Sequence, residues 1–271
     1  MDFFYNNVKY HVETFGNGEP IMALHGFTGN SNGWRFYSEI ISDRTIIAPD
    51  IIGHGQSESP EDISHYQIEE QAAMLAHLIN LMKISKVDVI GYSMGGRLAI
   101  TFALLFPEKV HRLILESTTP GINSIEDREK RMINDMKICQ LIKDKEIEGF
   151  VNYWENIPLF ASQKKLTAHK REQVRTQRLR NNPQGLINSL IGMGTGAQPS
   201  WWTLIAKFQM PVLILTGSID QKFCTIGEEM SMRIQRATHQ TIEKSGHTVH
   251  LEKPLQYVDE IEKFLLETST Y

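Results

Sequence analysis

Gly91-Tyr92-Ser93-Met94-Gly95 reads GYSMG, a G-x-S-x-G pentapeptide. Glycine and serine are common, so the five letters mean little alone. Their setting gives them weight: they follow the apolar run Val87–Ile90 and open the helical pattern Met94–Phe106 (MGGRLAITFALLF), which Pro107 stops. A serine between small residues at a strand-to-helix turn is a nucleophile elbow, in which a strained backbone lifts the hydroxyl above a sheet. The helix N-terminus beneath it favours developing negative charge. One neighbour does not suit a simple esterase: Arg97 falls one helical turn after Ser93, on the same face.

Working outward, short apolar runs bounded by turn residues recur at Pro20–His25, Thr45–Pro49, Val87–Gly91, Leu113–Glu116 and Pro211–Gly217, with another strand around Thr241–Ile242. Several are apolar on both alternating faces, the mark of strands buried between helix layers. Phe3–Val8 and Tyr10–Phe15, joined through Asn6-Asn7, read as an antiparallel edge hairpin. Helical patterns at Ile68–Met82, Met94–Phe106 and Pro254–Leu266 alternate with the strands, which predicts an α/β doubly wound sheet, mostly parallel, eight-stranded, with helices on both faces. The rhythm breaks from about Thr118 to Ala206, which is helical, charged and without strand candidates before loosening into GMGTGAQPS. We therefore divide the chain into a core of residues 1–117 and 207–271, and a helical cap, 118–206, inserted after the sixth strand.

Composition narrows the function classes. A net charge of −4 argues against a nucleic-acid partner. Two cysteines, Cys139 and Cys224, make neither a disulfide framework nor a CxxC metal signature, so a reducing, cytoplasmic setting fits. The N-terminal MDFFYNNVKY lacks the basic and apolar regions of a signal peptide, and no apolar run approaches the ~20 residues that span a bilayer. The charge is uneven: between Gly121 and Ala206 there are 13 Lys+Arg against 9 Asp+Glu, inside an otherwise acidic chain. This is either an anion-facing element or a set of solvated helix faces.

A nucleophilic serine needs a base, and the base an orienting acid. In the α/β-hydrolase order of serine, acid, histidine, Asp220 follows a buried strand in TGSID, and His247 follows a strand in SGH. His250 is the rival base and Glu116, at the end of another strand, the rival acid. The loop after Pro20–His25 is where a second oxyanion donor belongs, so the backbone N–H groups of Phe27 and Met94 form the expected pair. His25 reads as a loop support. His54, in the DIIGHGQSE loop, reads as scaffold because no second metal ligand stands at helical or hairpin spacing.

The combination HGFTG, D-x-x-G-H-G-x-S, GYSMGG, G-x-x-D and GH resembles the α/β-hydrolase superfamily over essentially the whole chain. More narrowly, GYSMGGRLA, FVNYWENIPLFASQ, RLRNNPQGLINSLIGMGTGAQPSWW and the pairing of DQKF with GHTVHLEKP resemble one family. It is that of the 2-succinyl-6-hydroxy-2,4-cyclohexadiene-1-carboxylate synthases of menaquinone biosynthesis, often called MenH. The resemblance implies a lyase that eliminates pyruvate from 2-succinyl-5-enolpyruvyl-6-hydroxy-3-cyclohexene-1-carboxylate, with no metal or organic cofactor. Ser93, Asp220 and His247 match the family's triad. The substrate carries three carboxylates, which calls for arginines, whose forked guanidinium pairs bidentately with carboxylate.

Arg97 answers that call, the plainer alternative being a salt bridge to a core carboxylate. Arg131, three residues after Arg128, matches the family's cap arginine. Arg171, Arg175 and Arg178 form one basic stripe, and Arg178 aligns with the second cap arginine, with Arg180 its near rival. Trp154 resembles the family's pocket tryptophan, and Tyr92 stands beside the nucleophile to pack or to line the pocket. Two other readings stay open on residues alone: a carboxylesterase, thioesterase or carbon–carbon-bond hydrolase acting on an anionic substrate, and a non-catalytic receptor on the same scaffold.

Overall fold

In the computed structural model, which describes residues 1–41 and 43–269, the expected alternation is present. In chain order the elements are β1 (Asp2–Tyr5), β2 (Val8–Gly16), β3 (Glu19–Leu24), α1 (Arg35–Ile40), β4 (Arg44–Pro49), α2 (Ile68–Leu81), β5 (Val87–Tyr92) and α3 (Met94–Leu105). There follow β6 (Val110–Glu116), α4 (Ile125–Trp154), α5 (Ala168–Leu179), α6 (Pro183–Met193), β7 (Val212–Gly217), α7 (Gln221–Arg233), β8 (Ala237–Ile242), α8 (Val249–Glu252) and α9 (Pro254–Glu267). Short 3-10 turns fill several connections.

The eight strands form one sheet in the order β1-β2-β4-β3-β5-β6-β7-β8. Only β1 and β2 run against their neighbours; from β4 to β8 every pairing is parallel. The hairpin turns through Asn6 and Asn7 at φ 48° and 62°, the left-handed geometry a two-residue hairpin loop demands and that asparagine tolerates. β6 begins three residues earlier than its apolar letters suggest. His111 and Arg112 belong to the strand because both face Asp88 of β5, at 3.4 and 3.6 Å.

Alternation along the central strands explains the layers. Met22, Leu24, Leu113, Leu115, Val212 and Ile214 join the apolar cluster that includes α2 and α3 residues, while Ile21, Ala23, Ile114, Leu213 and Leu215 join the one that includes α9 residues. A strand apolar on both faces is satisfied only between two such layers. The chain leaves the sheet after β6 and returns at β7. Between them, α4 and α6 share a third apolar cluster, with Cys139, Ile142, Phe150, Val151, Leu186, Ile187 and Leu190 at its centre and Phe27 of the core packed against it. α4 is broken at Glu146 (φ 54°, ψ −174°). None of the described helices is long and apolar enough to cross a membrane.

Candidate active site

Ser93 follows β5 directly and precedes the first residue of α3, with φ 51°. A positive φ at a residue with a side chain costs about 1–3 kcal/mol and persists only where its surroundings enforce it. Here the enforcement comes from the end of β6. Ser93 N–H donates to the Glu116 carbonyl at 2.9 Å, and the Thr118 hydroxyl donates to the Ser93 carbonyl at 2.8 Å. Thr118 reaches that carbonyl because Gly96 has no side chain; a Cβ there would stand 2.6 Å from the threonine Cβ. At Gly91 a Cβ would stand 2.5 Å from the Gly95 carbonyl oxygen. The glycines of GYSMGG therefore permit the turn and let its brace approach.

The structure brings Ser93, His247 and Asp220 into one hydrogen-bonded line. Ser93 Oγ lies 3.1 Å from His247 Nε2, and His247 Nδ1 lies 2.7 Å from Asp220 Oδ2. His247 is 2% exposed on its side chain, and the Phe223 ring centroid stands 4.6 Å from that of the imidazole. The rival side chains do not engage the serine hydroxyl, whose partner is His247 Nε2. Glu116 accepts from the His250 backbone N–H at 3.1 Å and faces His250 Nδ1 at 2.8 Å, while the His250 ring stacks on Trp34 and Phe36.

Phe27 and Met94 line the cavity above Ser93, and neither backbone N–H has a hydrogen-bond partner among the described residues. Met94 is the first residue of α3, where an intrahelical acceptor is lacking by construction. The Phe27 loop is held from below by His25, which offers one ring nitrogen to the Gly26 carbonyl and accepts the Ile51 N–H with the other, both at 2.9 Å. Burial pushes the His25 pKa down to about 4, consistent with a neutral ring that donates once and accepts once. His54 packs against His25 and Phe27; its Nδ1 lies 3.0 Å from the Ile52 carbonyl, and its Nε2 is buried without a partner.

The Ser93 cavity, of about 150 Å³, is also lined by Tyr92, Arg97, Arg131, Trp154, Phe160, Lys222, Phe223 and His247. Arg97 is 7% exposed. Its Nη1 donates to the Met193 carbonyl and to Gln198 Oε1, and among the described residues no carboxylate stands within ion-pair distance of it. Burial first, and Arg131 second, lower its pKa to about 9. Arg131, by contrast, is tied to Asp135 at 2.8 Å. A buried guanidinium held by neutral acceptors at the wall of a cavity is costly unless an anion arrives.

A family model described as the alpha/beta hydrolase fold matches residues 19–254. A Bacillus subtilis (strain 168) protein, itself assigned provisionally as a 2-succinyl-6-hydroxy-2,4-cyclohexadiene-1-carboxylate synthase, is 42% identical over 262 residues, 96% of each chain. The synthase of that name from Klebsiella pneumoniae is 30% identical over 242 residues, 88% of this chain and 92% of its own. The structure of MenH from S. aureus superposes with a TM-score of 0.92 at 31% identity, covering 96% of this chain and 99% of that one. The chain belongs to the 2-succinyl-6-hydroxy-2,4-cyclohexadiene-1-carboxylate synthase family, within the α/β-hydrolase fold.

In this synthase-family chain the arginines singled out by resemblance do not all meet. Arg97 and Arg131 share the Ser93 cavity with Tyr92 and Trp154. Arg178 lines a neighbouring cavity, where its guanidinium sits 4.9 Å over the Phe160 ring and Nη2 donates to Gln163 Oε1 at 3.3 Å. Tyr92 borders both cavities, its hydroxyl 2.7 Å from Thr248 Oγ1. The other stripe arginines are engaged elsewhere: Arg175 with Glu155 at 2.8 Å, and Arg171 with the carbonyls of Lys164 and Leu166. Arg128 donates to the Gly196 carbonyl, and Arg180 is exposed. Sequence reasoning passed over Lys222, Phe160 and Gln163. Only their inclusion in DQKF and LFASQ, two of the stretches that carry the family resemblance, marked them.

Proposed function

We propose that this chain eliminates pyruvate from 2-succinyl-5-enolpyruvyl-6-hydroxy-3-cyclohexene-1-carboxylate, giving 2-succinyl-6-hydroxy-2,4-cyclohexadiene-1-carboxylate for menaquinone biosynthesis. The relatives' named activity supports the reaction. The observation that carries the reading to these residues is Arg97, buried, unpaired by any carboxylate and facing the serine cavity. An enzyme of neutral esters gains nothing from such a charge, whereas a polycarboxylate substrate supplies its partner.

In this reading His247, oriented by Asp220, draws the Ser93 proton, and Ser93 Oγ removes the ring proton beside the succinyl ketone. The electrons of that C–H bond form a new ring double bond, the existing ring double bond moves one position along, and the bond from the ring to the enolpyruvyl oxygen breaks. Enolpyruvate leaves and tautomerises to pyruvate. Phe27 and Met94 N–H groups hold the ketone oxygen as it gains enolate charge. Tyr92 and Trp154 wall the ring, while Arg97, Arg131 and Arg178 hold carboxylates. Residues 118–206 act as a cap over residues 1–117 and 207–271. The reading carries with it a cytoplasmic location, a small-molecule partner, and no nucleic acid or membrane.

Purified protein mixed with the enolpyruvyl precursor should release pyruvate in step with diene formation. If Ser93→Ala retains full turnover, the role given to the serine is wrong.

A further inference from the structure

Glu116 and His250 take no part in the proton transfer, yet they form a second carboxylate–histidine pair beside the triad. Glu116 is the last residue of β6 and is 0% exposed. Its Oε1 accepts the His250 backbone N–H at 3.1 Å, and its Oε2 lies 2.8 Å from His250 Nδ1. Burying a carboxylate is costly, and apolar side chains of similar volume often serve stability as well as such a pair or better. Stability alone therefore does not account for Glu116.

Its position does. In the parallel register Glu116 lies opposite Tyr92 of β5 on one side and Leu215 of β7 on the other. The first strand leads into Ser93 and the second towards Asp220. The Glu116 carbonyl accepts the Ser93 N–H at 2.9 Å, while its carboxylate grips the chain three residues past His247. One residue thus holds the nucleophile turn with its backbone and the base segment with its side chain. The His250 ring completes the tie: it stacks on Trp34 at 5.2 Å and meets the Tyr92 ring edge to face at 4.8 Å. Tyr92 precedes Ser93, and its hydroxyl lies 2.7 Å from Oγ1 of Thr248, the residue after His247. The segment from His247 to His250 is fastened to the elbow at two points, Tyr92–Thr248 and Glu116–His250. We propose that Glu116 is a positioning residue which, acting through His250, sets the 3.1 Å separation of Ser93 Oγ and His247 Nε2. The proposal rests on the proton-transfer reading for its kinetic consequence, but not for its geometry.

The test compares wild type with Glu116→Ala, Glu116→Gln, His250→Ala and the double variant of Glu116→Ala with His250→Ala. Each is assayed for pyruvate release from the enolpyruvyl precursor, below the unfolding temperature found by circular dichroism, and crystallised. Glu116→Ala should lower kcat about 10–100-fold with KM within about twofold, because a misplaced reacting group slows chemistry more than binding. Its crystals should show His247 Nε2 drawn away from Ser93 Oγ. Glu116→Gln should recover most of the loss, since its amide oxygen accepts the backbone N–H and its NH₂ donates to Nδ1 of the other imidazole tautomer. The double variant should be no slower than Glu116→Ala, because both changes cut one tie. If Glu116→Ala does not fold, His250→Ala carries the same expectations for kcat, KM and the triad. A wild-type kcat or an unmoved triad in the folded variant overturns the proposal, as do additive losses in the double variant. A displaced His247 in the variant, beside a wild type that releases no pyruvate, would sustain the brace and sink the reaction.

Discussion

Replacing Arg97 by methionine separates recognition from folding. The guanidinium spends Nη1 on the Met193 carbonyl and Gln198 Oε1, leaving Nε and Nη2 for a ligand in the Ser93 cavity. Each hydrogen bond to a carboxylate from a charged donor contributes about 1.5–3 kcal/mol. Losing two, in a site shielded from water, should cost about 3–6 kcal/mol, or roughly 10²–10⁴ in kcat/KM. Stability should respond differently. Methionine removes a buried charge whose desolvation costs several kcal/mol, but orphans two acceptors at about 1–3 kcal/mol each. These terms oppose one another, so the melting temperature should move by no more than about 5 °C. Pyruvate release is followed continuously with lactate dehydrogenase, and unfolding by circular dichroism. A kcat/KM within about threefold of wild type, well under 1 kcal/mol, would refute the carboxylate clamp. A collapse of the fold would show that Arg97 holds the GMGTGAQPS loop rather than a ligand.

Other consequences follow from the same contacts. Gly96→Ala pushes a Cβ against Thr118 and loosens the brace on the Ser93 carbonyl; kcat should fall about 10–100-fold with circular dichroism unchanged, as expected when a reacting group is misplaced. Glu252 accepts from the Gly246 N–H, next to His247, and from Ser162 Oγ, both at 2.9 Å. Glu252→Ala should therefore lower kcat by about tenfold with little change in KM, read from steady-state kinetics. His25 and His54 have folded pKa values pushed down to about 4 and about 3 by burial. Because the unfolded chain binds their protons first, near the ordinary histidine value of about 6.5, stability should fall as pH drops through the window from about 6.5 to about 4. The loss is on the order of 3 kcal/mol for His25 alone, and urea midpoints in His54→Asn should depend less steeply on pH over that range.

Local pattern made much of this molecule readable. Strands such as β3 and β7 are apolar on both faces because helices cover both, and Pro107 and Asn6-Asn7 punctuate the chain where turns occur. The triad could be ordered along the chain because each member stands just after a strand. What was illegible depends on segments that meet only in space. His111 and Arg112 look like a loop until Asp88 is placed beside them. Gln198 becomes a partner for Arg97 only when a glycine-rich loop folds back over α3. Nothing in the spacing of Arg171, Arg175 and Arg178 says that a neighbouring carboxylate neutralises the second while the third faces a cavity.

The most direct measurement is single-turnover mixing of the protein with the enolpyruvyl precursor. Pyruvate and the ring diene should appear at one common rate, lost in Ser93→Ala, with no serine-linked adduct seen by rapid-quench mass spectrometry. An acylated Ser93, or ester cleavage without any pyruvate from the precursor, would contradict the claim that this serine takes a proton.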